Sequence, residues 1–195
     1  PRSKVLRLWS GLGYNNRAIR LHESAKRITE SFQGRIPRDR QTLESLPGVG
    51  PYTANAGLTF AFNDDVPVID TNIRRVFIHE LDLPEELTHK QLEEVAMAVL
   101  PRGRAREWYS ALMDYGATVL TARTTAIRPK QKQPPFAGST RQVRGYILRQ
   151  LLEAGKLSMS DIALTPKDAT IEQIVMAMEE EGLLRREGEE LFLVE

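Results

Sequence analysis

Apolar residues recur at spacings of three and four along most of the chain, and the runs break at glycine, proline or acidic clusters. Val5, Leu8 and Trp9, then Ala18, Leu21, Ala25 and Ile28, predict two helices that end near Phe32 and are joined by a glycine turn at Gly11-Leu12-Gly13-Tyr14. A short third helix is predicted over roughly Asp39 to Leu46. A fourth starts after Pro47-Gly48-Val49-Gly50, with Pro51 in its first turn, where a missing N–H costs nothing. It runs to about Phe62, and Asn63-Asp64-Asp65 breaks it before the extended Val66-Pro67-Val68-Ile69. Asp70 opens another helix through about Leu81. Two more follow over about 88–100 and 104–121, the second with Trp108, Leu112 and Ala117 on one face. No useful alternating pattern occurs before residue 140, so this part is expected to be all-helical.

The pattern changes after residue 122. Residues 123–139 are rich in Thr, Pro, Gln, Arg and Lys, and no acidic residue lies between Asp114 and Glu153, so a basic, exposed linker is expected. Beyond it, Val143, Ile147, Leu148, Leu151 and Leu152 define one amphipathic helix, and Ile171, Ile174, Val175 and Met178 another. Leu183 to Val194 reads as two short strands around a glycine turn. The expected division is therefore a helical domain over 1–122, a linker over 123–139 and a small winged-helix-like α+β module over 140–195.

Composition narrows the chemistry. The 195 residues are 41% hydrophobic and 27% charged, the balance of an ordinary folded chain. No apolar run approaches the roughly 18 residues that span a bilayer, and a cytoplasmic monomer without membrane contact is expected. The chain has no cysteine, which removes thiol nucleophiles, disulfides and thiolate-held clusters; three dispersed histidines make no metal cage. The net charge of +1 hides an asymmetry: residues 1–140 hold 20 Lys and Arg against 15 Asp and Glu, and residues 141–195 hold 7 against 11. The first part is the expected polyanion binder.

Pro47-Gly48-Val49-Gly50 carries the clearest chemistry. Glycines one residue apart between two helices permit positive φ and leave N–H groups uncovered, and the helix start after them adds a partial positive charge. Such a turn can grip a nucleic-acid backbone phosphate without reading sequence, and the same residues also serve as an ordinary helix end and start. Asp70 stands where a helix N-cap is expected, and a fixed carboxylate there could also stabilise a developing sugar cation.

Leu46-Pro-Gly-Val-Gly-Pro-Tyr-Thr-Ala54, followed by Asp70 within Val68-Ile-Asp-Thr-Asn-Ile-Arg-Arg-Val76, resembles the helix-hairpin-helix DNA glycosylase superfamily. Leu8-Trp-Ser-Gly-Leu-Gly-Tyr14 and Leu112-Met-Asp-Tyr-Gly-Ala117 are most similar to its adenine glycosylases of the MutY type, and the match spans about residues 4–122. The resemblance implies an all-α helix-hairpin-helix fold and a monofunctional base-excision-repair glycosylase acting on mismatched or damaged duplex DNA. The implied target is adenine opposite guanine or 8-oxoguanine. It assigns Asp70 as the catalytic aspartate. Tyr52 falls where bifunctional members carry a Schiff-base lysine, and Asn72 matches an Asn that bonds the aspartate or the purine. It implies DNA contacts from Pro47, Gly48, Val49, Gly50 and Thr53, with Tyr14 wedging into the duplex and Arg17 at a phosphate. The hairpin carbonyls are candidates to hold a monovalent cation.

Three departures stand beside the resemblance. The family's N-terminal segment, with the Glu that protonates the leaving adenine, has no counterpart here, so that acid is expected upstream of residue 1. The cluster cysteines are missing, so no iron–sulfur cluster is expected. A short acidic module stands where a Nudix-like domain is usual; its Glu172, Glu179, Glu180 and Glu181 oppose DNA contact, and packing on the helical core is expected instead. The alternatives are a thymine or uracil mismatch glycosylase and a non-catalytic helix-hairpin-helix DNA-binding protein.

Overall fold

Gly11, Gly13, Gly48 and Gly155 take left-handed backbone angles at helix ends, and between such breaks the computed structural model, which describes residues 1–127 and 135–194, is mostly helical. The helices are α1 (Arg2–Trp9), α2 (Asn15–Phe32), α3 (Arg40–Glu44), α4 (Pro51–Phe62), α5 (Thr71–Glu80), α6 (His89–Val99), α7 (Ala105–Thr118), α8 (Ala122–Thr125), α9 (Thr140–Ala154) and α10 (Ile171–Glu180). Three short strands, β1 (Lys156–Ser158), β2 (Leu184–Glu187) and β3 (Glu190–Leu193), complete it. Every helix predicted from the sequence is present, and Asp70 caps α5 as expected, accepting from Ile73 N; Asp39 accepts from Thr42 N, Thr88 and Thr170 form capping boxes that the sequence reading did not single out, and α8 is a helix it did not expect.

The packing divides the chain into two units, and the division is discontinuous in sequence. One unit is Arg35–Lys132, in its described part; the other joins Pro1–Gly34 to the described part of Gln133–Glu195. The expected boundary at residue 122 thus gives way to one in which α1 and α2 belong with the C-terminal module. Leu6 of α1 and Ala18 and Ile19 of α2 are buried in the same cluster as Val143, Ile147, Leu151, Ile174, Met178 and Leu191. Arg2 adds polar ties, from Nη2 to Glu23 Oε1 at 2.9 Å and from Nη1 to the Gly182 carbonyl at 3.3 Å. A module of about 55 residues is near the lower limit for an independent core, and shared burial meets that need. The buried stripe also differs from the predicted one. Leu8, Leu21 and Ala25 are exposed, because Leu6 and Ile19 face the shared core instead.

In this first unit α9, α10 and the sheet form the winged-helix-like arrangement, with strand order β1-β3-β2, all antiparallel. Leu157 pairs with Leu191 and Leu184 with Leu193, and β2 and β3 join through a turn at Gly188. β1 is the strand the sequence pattern missed; three residues are too short to show a period of two.

In the second unit Val68, Ile73, Val76, Phe77, Ala96, Ala105, Tyr109 and Leu112 make the core. The buried face of α7 is Ala105, Tyr109, Leu112 and Gly116, with Trp108 half-buried and Ala117 exposed, contrary to the predicted face. The linker expectation over 123–139 lies partly outside the described residues. Its described ends are ordered: α8 holds residues 122–125, Ile127 is buried, and Ser139 is buried at the start of α9.

Candidate active site and nucleic-acid interface

Leu43 and Leu46 are buried and anchor the end of α3, and the chain reverses through Pro47–Gly50 into α4. Val49 N–H donates to the Leu46 carbonyl at 3.1 Å, closing a tight turn around Gly48, whose φ is 76°. That angle is where a Cβ is disfavoured, so glycine is required. Gly50 differs from expectation: its backbone is extended at φ −99°, and no atom lies within 4 Å of where its Cβ would be. Its glycine is not needed for the turn, and it keeps open the space in front of α4. No side chain caps the first turn of α4, so its N–H groups are left for another acceptor. Tyr52 and Thr53, on that turn, are exposed.

From α4, buried Asn55 donates through Nδ2 to the Pro67 carbonyl at 2.8 Å and pins the extended segment that leads to Asp70. Asp70 Oδ1 accepts from Ile73 N at 2.6 Å, which fixes the half-buried carboxylate at the positive end of α5. Its second oxygen makes no hydrogen bond among the described residues. Tyr52 sits close enough that partial burial, first, and the Asp70 charge, second, push its phenol pKa up. The phenol is therefore neutral beside an exposed face of the carboxylate.

Asn72, on the first turn of α5, is oriented from below. Arg75 Nη2 donates to Asn72 Oδ1 at 2.5 Å and to the Gly116 carbonyl at 2.9 Å, and its Nε donates to the Leu120 carbonyl at 2.5 Å. With its oxygen held by Arg75, the Asn72 amide nitrogen makes no hydrogen bond among the described residues. Gly116 makes this possible, because a Cβ there would lie 2.9 Å from Asn72 Cβ and from the Asn72 carbonyl oxygen. The α5·α7 approach thus sets both the position and the amide orientation of Asn72.

Asp70, Tyr52 and Asn72 come together with the hairpin in the second unit. Tyr14 and Arg17 belong to the first unit. Tyr14 is exposed, not a core residue, and adopts left-handed angles of φ 49° and ψ 52° at the start of α2, a strained conformation of the kind that collects at functional positions. Its turn is braced by Trp9, whose Nε1 donates to the Gly13 carbonyl at 2.8 Å. Sequence reasoning missed Arg75 and Asn55. An Arg pair on a helix reads as solvated, and only the i, i+3 spacing of Asn72 and Arg75 hinted at a bond.

For metals, the described residues contain no group of three His, Cys, Asp or Glu that could hold an ion. The chain offers no thiolate to a cluster. No described helix is long and apolar enough to cross a membrane.

The family described as the helix-hairpin-helix motif matches residues 31–56, which covers α3, the hairpin and the first half of α4. The chain is 38% identical over 177 residues to an adenine DNA glycosylase of Mycolicibacterium smegmatis, covering 78% of this chain and 59% of that protein. It is 40% identical over 174 residues to an adenine DNA glycosylase of Mycobacterium tuberculosis, covering 77% and 57%. Among solved structures, a thermostable thymine-DNA glycosylase superposes with a TM-score of 0.56 at 32% identity, covering 64% of this chain and 59% of that one. The chain thus spans somewhat more than half the length of these relatives.

Proposed function

We propose that this chain, a member of the helix-hairpin-helix DNA glycosylase superfamily, hydrolyses the N-glycosidic bond of a mismatched base in duplex DNA, namely adenine opposite guanine or 8-oxoguanine. The carrying observation is Asp70: one carboxylate oxygen is locked on the α5 N-terminus, and the other has no hydrogen bond among the described residues, with a neutral phenol within its electrostatic reach. The hairpin N–H groups grip a backbone phosphate, and the flipped nucleotide brings its sugar to the carboxylate. As the bond to the base breaks, its electron pair leaves with the base and positive charge builds on the sugar. Asp70 stabilises that charge; water then adds at the anomeric carbon and gives up a proton, yielding free base and an abasic site. Tyr52 and the amide nitrogen of Asn72 arrange the nucleotide. A phenol forms no Schiff base with the opened sugar, so the strand stays uncut.

The names of the sequence relatives support adenine as the leaving base, and the thymine-glycosylase likeness makes thymine the rival. The enzyme acts as a monomer on DNA in the compartment that holds the chromosome. A monovalent cation at the hairpin carbonyls would add charge to the phosphate grip. Single-turnover base release on duplexes with adenine opposite 8-oxoguanine, A:G, T:G and U:G tests the reading beside Asp70→Asn. Adenine release that falls at least about a hundredfold in the variant is expected. Pyrimidine release would reassign the substrate. Binding without release of any base would leave a DNA-binding protein.

A further inference from the structure

A cleft of about 640 Å³ lies wholly within the first unit, between the Gly11–Tyr14 turn with the start of α2 and the exposed side of α9. Five arginines line it: Arg17 and Arg20 from α2, and Arg141, Arg144 and Arg149 from α9. One carboxylate, Glu181, reaches it and is paired to Arg144. Arg17 and Arg141 lie over the rings of Trp9 and Phe136, both at 5.9 Å, and Arg141 also interacts with the Asp168 carboxylate. Arg20 and Arg149 are exposed, and neither has an ion pair among the described residues. A cleft lined by several like charges focuses a positive field and attracts a polyanion.

Gly145 is an independent sign. It stands in the interior of α9, on the cleft wall, with no atom within 4 Å of where its Cβ would be. A glycine there weakens the helix and serves no packing need, and it leaves the helix backbone open to close approach from the cleft. At the rim, Tyr14 and Phe136 are exposed aromatics that can meet bases or sugars.

We propose that this cleft takes the sugar–phosphate backbone of a DNA strand next to Tyr14, so that the C-terminal module, through α9, supplies half of the grip. The inference rests on the DNA-glycosylase reading above. It also reverses the expectation that the module avoids DNA. The opposing glutamates sit mainly on α10, where Glu172 pairs with Arg186 and Glu179 accepts from Arg186 N, whereas the cleft arginines sit on α9.

The test is duplex binding by the full chain, with and without a mismatch, across a salt series, for the unsubstituted protein, the double variant Arg20→Ala/Arg149→Ala, each of its single variants, Gly145→Ala, and Lys90→Ala on α6 as a control that removes the same charge as either single variant. The double variant is expected to weaken both duplexes alike and to make the slope of log K against log salt shallower by about one for each arginine, with Lys90→Ala unchanged. Gly145→Ala is expected to raise the melting temperature while weakening DNA binding. If the unsubstituted chain binds DNA and the double variant keeps its slope and affinity, the cleft assignment fails and the glycosylase reading stands. If the unsubstituted chain binds no duplex, both fall. A deoxynucleoside monophosphate that binds the cleft and is lost in the double variant, with duplex affinity unmoved, would overturn the backbone assignment in favour of a free phosphate ligand.

Discussion

Asp70 caps a helix through one carboxylate oxygen and keeps the other without a hydrogen bond among the described residues, and the structural and the proposed chemical role separate by substitution. Asn caps about as well as Asp, so Asp70→Asn should leave the denaturant midpoint nearly unchanged. Base release should drop by two orders of magnitude or more, because the amide carries no charge to set against the sugar cation. Equal loss of stability and activity would mean that the carboxylate is mainly structural. Tyr52 makes a second residue-level prediction. Burial and the Asp70 charge raise its pKa, so the unfolded chain loses that phenolic proton first. The resulting stabilisation is full below the unfolded value, near about 10, and is lost as pH rises through the folded value. Urea midpoints between neutral and alkaline pH should therefore fall less steeply above about pH 10 in Tyr52→Phe than in the unsubstituted chain.

Turns and helix crossings decide the site at the next scale. Gly48 and Gly50 look equivalent in sequence, yet one has φ of 76° and the other is extended with open space before it. Gly48→Ala should destabilise the fold by roughly 1–2 kcal/mol, the cost of a left-handed L residue. Gly50→Ala should cost little stability and weaken DNA binding, since its methyl group would stand in front of the α4 N–H groups. Calorimetry and duplex titration of the two variants together check this. At the α5·α7 crossing, Gly116→Ala places a methyl carbon against Asn72, and overpacking should cost about 1–3 kcal/mol with a larger loss of base release than of DNA affinity. Full activity in that variant would show that Asn72 need not be held where α7 puts it.

For the whole molecule, the discontinuous unit makes a prediction that a linear division does not. Removing residues 140–195 takes away the partners of Leu6, Ala18 and Ile19. Amide-exchange protection across α1 and α2 should vanish with it, while α4, α5 and α7 keep theirs; retained protection in α2 would mean that it stands without the module. All helices but the short α8, the hairpin, the terminal β2–β3 pair and the Asp70 cap were legible in the sequence. Each rests on local signals, such as period, punctuation and capping residues, that act within a few residues. What the sequence left open depends on segments far apart along the chain. That α1 and α2 share a core with α9 and α10, that Arg75 holds the Asn72 oxygen where Gly116 lets α5 and α7 approach, and that five arginines from α2 and α9 meet around one cleft are all decided by tertiary packing. Periodicity says that a face is buried but not against what, and a run of charge says nothing about which charges will converge.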